Sequence, residues 1–215
     1  MDSPDGINTS TLAAAGRAWG PKFNGQNYFQ YNPNSPTGKP TERTPWVAHD
    51  DYISGYFQTG QTYSNSLSFE GGSETGSARL SLTHLKNEWI IPNTGFERLN
   101  AALSVNQKIS DRLKISGKVN YYNKKSDNLP LAGYNNQSLM YFLIIGPAPN
   151  VKPEWYKPYW EEGLENVKQK NPFNPGPDNP YLGMYEMLNT MNKNGFIGTV
   201  SANYQVTPKL DLMVL

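Results

Sequence analysis

Two consecutive segments, Leu99–Ser110 and Arg112–Lys125, constrain this chain more than any other feature of it. In the first, Leu99, Ala101, Leu103, Val105 and Ile109 alternate with Asn100, Ala102, Ser104, Asn106 and Lys108. In the second, Leu113, Ile115, Gly117, Val119 and Tyr121 alternate with Lys114, Ser116, Lys118, Asn120 and Tyr122. A period of two specifies strand, because successive side chains leave a pleated backbone on opposite faces. Each run is about ten residues or slightly longer, the length a tilted strand needs to cross a hydrocarbon layer of about 30 Å. One face is aliphatic and the other is Asn, Ser and Lys, which suits lipid on one side and a wet lumen on the other. A soluble sheet alternates in the same way, so the rest of the chain has to decide.

Similar runs recur. Tyr63, Asn65, Leu67 and Phe69 alternate with Thr62, Ser64, Ser66 and Ser68, and a glycine-rich turn, Gly71–Gly76, follows. Ala78, Leu80 and Leu82 then oppose Arg79, Ser81 and Thr83, and Lys86–Gly95 leads on to the opening pair. Further along, Phe196, Gly198, Val200, Ala202 and Tyr204 oppose Ile197, Thr199, Ser201 and Asn203, and Thr207–Lys209 turns the chain into Leu210–Leu215. The expected organisation is an outer loop region at 1–60, with at most a short helix near Ser10–Arg17. Four strands at 62–125, a long outer loop at 126–191 and two strands at 194–215, the last cut short, complete it. Because the last run stops while still alternating, the chain reads as a piece of something larger.

Connection length sorts by side. In an up-and-down meander alternate links lie on opposite sides, so Gly71–Gly76, the turn at Asp111 and Thr207–Lys209 share one side. The first sixty residues, Lys86–Gly95 and Ser126–Met191 share the other. Short turns on one side and long loops on the other mark a bacterial outer-membrane barrel, whereas a β-sandwich has no reason to segregate its links. Aromatic residues gather towards the strand ends: Tyr63, Trp89, Phe96, Tyr121 and Phe196 on the long-loop side, Phe69 and Tyr204 on the turn side. Two interfacial girdles have this arrangement.

Composition narrows the function classes. The chain is 37% hydrophobic with a mean hydropathy of −0.66, as expected when half of every strand and most loops are polar. A net charge of +1, with no basic run beyond Lys124–Lys125, gives no support to nucleic-acid binding. The absence of cysteine removes disulfides and thiolate metal sites. Met1–Gly6 has no basic, apolar export signal, so an exported protein must carry its signal outside these residues. The longest apolar run, Leu139–Ile145, is too short for a spanning helix and reads as the buried part of the long loop.

Most motif-like features have plain readings. Gly71–Gly76 lacks the Gly-Lys-Ser/Thr ending of a phosphate loop and is a hairpin turn. His49 and His84 are the only histidines and lie far apart, so neither a metal site nor a cofactor is expected. Glu154, Glu161, Glu162 and Glu165 offer carboxylates for glycoside chemistry, but a solvated loop explains them more simply, and no enzymatic activity is expected. Asn8-Thr9-Ser10 and Asn136-Gln137-Ser138 match a glycosylation pattern that arises readily by chance in an Asn-rich chain. Asp178-Asn179-Pro180-Tyr181 reads as a turn into a short helix around Met184–Met191. The segment Trp155-Tyr156-Lys157-Pro158-Tyr159-Trp160 is the candidate contact site. Its rings suit stacking on a sugar or packing on a partner, and equally a small core for the loop itself.

Taken in order, several segments resemble the SusC/RagA-like TonB-dependent outer-membrane transporters of Bacteroidetes. They are Trp19–Gln26, Tyr56–Asn65 continuing through Leu67–Gly72, Ile91–Thr94, Asp178–Tyr181, Phe196–Gly198 and Tyr204–Pro208. The resemblance implies an all-β fold, an antiparallel transmembrane β-barrel segment giving about six strands of a larger barrel with long extracellular loops. It also implies a cell outer-membrane location and a barrel plugged by an N-terminal domain. The implied partners are a SusD-like surface lipoprotein, TonB acting through a region absent here, membrane lipid, and a glycan or peptide substrate. Import would be energised through TonB, and no transport residue is carried over from the resemblance; Trp155, Tyr156, Tyr159 and Trp160 stand as substrate or partner contacts on their aromatic chemistry alone. A secreted carbohydrate-binding β-sandwich module is the alternative, and a passive porin a third reading.

Overall fold

The computed structural model describes residues 21–145, 149–171 and 177–215, so the helix expected near Ser10–Arg17 lies outside the described residues. Two units make up the chain. The strand unit comprises Gln61–Glu88, Gly95–Asp127 and Thr190–Leu215. The loop unit comprises Trp89–Thr94 and the described parts of Met1–Gly60 and Asn128–Asn189. Antiparallel sheet dominates, with short helices confined to the loop unit.

In the strand unit, β3 (Gln61–Gly72), β4 (Gly76–Glu88), β5 (Gly95–Lys108), β6 (Leu113–Ser126), β7 (Met191–Thr207) and β8 (Leu210–Val214) form one six-stranded antiparallel meander in chain order. Strands occur at every alternating run. Four extend further than the alternation suggested: β3 runs to Gly72, β4 continues to Glu88, which leaves Trp89–Thr94 as the connector, β5 begins at Gly95 and β7 at Met191. Among the described residues the sheet is open, with β3 and β8 at its edges.

Register holds without a slip from β3 to β7, so apolar side chains in the middle of the strands line up in rows. One cross-strand row runs Phe69, Leu80, Leu103, Val119, Gly198, and the next runs Leu67, Leu82, Ala101, Tyr121, Phe196. The other face carries rows such as Ser68, Ser81, Ala102, Asn120 and Ser66, Thr83, Asn100, Tyr122. Leu80, Leu82, Leu103 and Val105 are exposed, whereas Ser81, Thr83, Asn100 and Ser104 on the polar face are half-buried. Trp89 belongs to the connector and Phe96 to the polar face. Of the aromatics assigned to the long-loop girdle, therefore, Tyr63, Tyr121 and Phe196 lie on the apolar face.

The turns follow from local chemistry. Between β3 and β4, the Ser73 amide donates to the Gly76 carbonyl at 2.7 Å. Between β5 and β6, the Ser110 hydroxyl accepts from the amides of Arg112 and Leu113, and Lys108 bonds Asp111 at 2.6 Å. On the polar face Tyr122 lies directly across from Gly195, where an added Cβ would clash with the tyrosine ring. Glycine there lets the ring lie on backbone.

The loop unit is built around aromatic side chains from distant parts of the chain. Tyr56, Phe142 and Tyr156 are almost fully enclosed. Tyr156 stacks on Tyr31 at 5.2 Å, and Phe142 meets Tyr56 and Tyr156 edge-on at 5.4 and 5.7 Å. Burial of each such ring contributes roughly 1.5–3 kcal/mol. Tyr56 ends the 3-10 turn Ser54–Tyr56, Tyr156 ends a second, Pro153–Tyr156, and Phe142 is the central residue of α1 (Leu139–Ile145). As expected of the apolar run, Leu139 and Phe142 are buried, but Met140 and Ile144 on the opposite side of α1 are exposed. A small ribbon, β1 (Asn27–Phe29) with β2 (Arg43–Pro45), occupies part of the region read as loop, and Trp46 beside it stacks on Phe23 at 5.0 Å.

The helix expected around Met184–Met191 lies earlier, as α2 (Pro180–Tyr185), and the chain from Glu186 to Thr190 is not helical. Asn179 caps it by accepting the Tyr181 amide at 3.0 Å, and Pro180 occupies a first-turn position where no amide is needed. The same Asn179, fully buried, donates to the carbonyls of Tyr156 and Lys170 at 3.1 and 3.0 Å. Asn179→Ala strands these buried groups at a cost of about 1–3 kcal/mol each. By contrast, the Tyr56 hydroxyl is buried without a hydrogen-bond partner, so Tyr56→Phe should be neutral or stabilising. Limited proteolysis of the loop unit checks the contrast: Asn179→Ala should be cut far faster than wild type, and Tyr56→Phe no faster.

Candidate functional site

The four aromatics singled out by sequence divide between core and surface. Tyr156 is 0% exposed and forms the centre of the loop unit's core, which leaves it no face for a ligand. Trp155 and Tyr159 are half-buried and pack against that core. Trp155 meets His49 edge-on at 5.5 Å, and its carbonyl accepts the Tyr31 hydroxyl at 3.0 Å. Tyr159 donates to Glu186 at 2.8 Å and lies 5.6 Å from the half-buried Trp160, which bridges to Gln169. Burial and the Glu186 bond together raise the Tyr159 pKa. The core reading therefore accounts for Tyr156, while Trp155, Tyr159 and Trp160 keep part of their surface.

Three of the four candidate carboxylates have local partners. Glu161 is buried and pairs with Lys168 at 3.0 Å, Glu154 lies 3.9 Å from Lys152, and Glu165 accepts the Gly163 amide. His84 stands on the apolar face of β4, away in sequence from His49. Among the described residues no three His, Cys, Asp or Glu side chains gather as a metal site would require. A small hollow lined by Ile91, Leu129, Leu139, Met184 and Met187 has room for about one water.

The polar face of the strand unit holds a feature that reading along the chain did not reveal. Arg98 on β5 pairs across with Lys124 on β6, which pairs across with Lys193 on β7. Three cations thus stand side by side on one face, where like charges directly opposite are destabilising. Lys124 Nζ sits 4.1 Å above the Phe96 ring, and Arg98 Nε is buried with no hydrogen-bond partner. Among the described residues none of the three forms an ion pair. One residue along, on the opposite face, the cross-strand partners Glu97 and Lys125 form a balanced pair at 3.7 Å. The sequence shows only Lys124–Lys125 as adjacent cations, because Arg98 and Lys193 join them through register.

Searched against protein-family models and against curated proteins, the sequence matches none.

The buried tyrosines of the loop unit make it sensitive to alkali. Burial pushes the hydroxyls of Tyr31, Tyr56 and Tyr156 well above the usual tyrosine range, and that of Tyr181 up to about 12. Each folded-state pKa lies above the unfolded one, so the stabilisation is intact below about pH 10 and declines as pH rises beyond it. Each fully enclosed tyrosine removes about 1.4 kcal/mol per pH unit in that range. Phenolate absorbance and near-UV circular dichroism followed together should change in one cooperative step above pH 10. Gradual ionisation with unchanged dichroism would mean the cluster is open to water.

Proposed function

We propose that this chain is a barrel segment of an outer-membrane transporter of the SusC/RagA type, importing oligosaccharides or peptides with energy delivered through TonB. The observation that carries the reading is the continuous register that sorts the sheet into one aliphatic and one polar face, with the aliphatic positions of β4 and β5 more exposed than the polar ones. A spanning barrel needs lipid-facing and lumen-facing residues in strict alternation. Along β6 the apolar positions run from Leu113 to Tyr121, roughly 27 Å of strand, and the next two on that face are Asn123 and Lys125. Polar residues so placed end a hydrocarbon-matched band at the long-loop end.

The open edges support the same reading. Unpaired backbone groups at β3 and β8 are costly in lipid, and further strands would satisfy them. A β-sandwich instead covers its apolar face with a second sheet of similar size. The other sheet among the described residues is the ribbon of three-residue strands β1 and β2. In the proposed barrel, the connections Trp89–Thr94 and Asn128–Asn189 face outward with the other long loop. Trp155, Tyr159 and Trp160 supply contact surface there for a SusD-like lipoprotein or the incoming substrate, and Tyr156 holds that surface rigid from within.

Localisation and sidedness test the proposal. The protein should sediment with outer membranes and need detergent for extraction. Since the sequence contains no cysteine, single cysteines report without background. A cysteine at Ser104 should react with a membrane-impermeant maleimide, and one at Val105 should not. Leu103→Arg should lower the yield of folded, membrane-inserted protein, at a cost of about 2–4 kcal/mol, and Ser104→Arg should not. Equal labelling at 104 and 105, or recovery as a soluble monomer, would overturn the reading.

A further inference from the structure

We infer that the Arg98–Lys124–Lys193 ladder binds the carboxylate groups of an acidic oligomeric substrate. This deepens the transporter reading by naming a substrate class, and rests on it for the polar face being a lumen.

Three observations carry the inference. The first is the ladder itself: three cations on adjacent strands at cross-strand distance, a costly arrangement unless an anion relieves it. Where the sheet uses a cation structurally it supplies the acid, as with Lys125 and Glu97 at 3.7 Å on the opposite face. The ladder has no such acid among the described residues.

The second observation is the buried, unpartnered Nε of Arg98. Arg98 is half-buried and forms no ion pair among the described residues, so the outer edge of its guanidinium remains to match the two oxygens of a carboxylate, and such paired bonds are among the stronger ones available. Lys193 and Lys124, the latter over the Phe96 ring, flank it on the same face with no ion pair among the described residues, and their ammonium groups add attraction without demanding one geometry.

The third is continuity. On β6 the polar face also presents Lys118 and Lys114, both exposed, farther towards the short turns. The acids on this face are Glu70, which stands directly across from Arg79, and Asp211 on β8. An acidic oligomer released from the ladder thus meets further cations along the same strand, an arrangement that raises the local concentration of anions. Lipid phosphate is a poorer occupant, because the ladder is on the face opposite the aliphatic one.

The test uses the full-length protein purified in detergent, as wild type and as the single variants Lys193→Gln and Arg98→Gln. Calorimetric titration with trigalacturonate and triglutamate, against neutral maltotriose and triglutamine, reads binding without requiring transport. Wild type should bind at least one acidic probe, with affinity falling as salt is raised. Each variant should bind that probe about tenfold more weakly, with the neutral probes unchanged. Preference for one acidic probe over the other assigns the carboxylate to a sugar or to a peptide. Lys193 is exposed, so Lys193→Gln should leave folding intact and raise Tm by removing like-charge repulsion. Equal acidic binding by wild type and both variants would overturn the inference, as would no acidic binding at all. A fall in Tm for Lys193→Gln with unchanged binding would also overturn it, and would assign the ladder to a carboxylate of the protein's own. Fractionation and labelling decide the transporter reading separately, since the titration works equally for a soluble protein.

Discussion

Side-chain placement in the strand unit depends on one constraint: pairing from β3 to β7 proceeds with no residue gained or lost. Because the strand period is two, a single slip would move a whole strand's Leu, Val and Ile to the face occupied by Ser, Asn and Lys. The one irregularity lies between Gln205 and Thr207, where β7 meets the short β8 at the sheet's edge. Central strands therefore enforce a sorting that the edge can relax, and the chemistry of both faces follows from it.

The two units use different physics. In the strand unit the cohesion is backbone hydrogen bonding between neighbours, with few side chains enclosed. In the loop unit it is aromatic packing, locked by amide side chains such as Asn179 and Asn128. Asn128 donates to the carbonyls of Asn93 and Met184, both at 3.0 Å, and accepts the Asn189 amide. Glycine, proline and asparagine in that region therefore mark a tightly bonded irregular structure, for which low periodicity is no measure of order.

Strands were legible because alternation is a local signal, and Leu99–Lys125 announces its hairpin with no help from the rest of the chain. The β1–β2 ribbon was not, since three residues cannot establish a period. The start of α2 was missed because Asp178–Tyr181 was read as turn chemistry, although Asn179 followed by Pro180 is also a helix start. For the candidate site, the Trp155–Trp160 cluster was visible as composition. That Tyr156 is core while its neighbours keep surface depends on Tyr31, Tyr56 and Phe142, each remote in sequence. The cationic ladder is the extreme case, since Arg98, Lys124 and Lys193 become neighbours only once two strand registers are fixed.

The loop unit's long-range bonds also bear on the order of folding. Asn150 reaches Gln30 and Lys170 reaches the Pro33 carbonyl, across 120 and 137 positions of sequence. Closing a free chain over such separations is entropically slow. The hairpins between these segments fold the intervening chain back on itself, so once β3 to β6 have paired, the segments are joined through much shorter effective loops. The aromatic core is thus expected to form after the β3–β6 hairpins. Mutations in it should act mainly on the rate of unfolding, and those in the central hairpins on the rate at which the native state is reached.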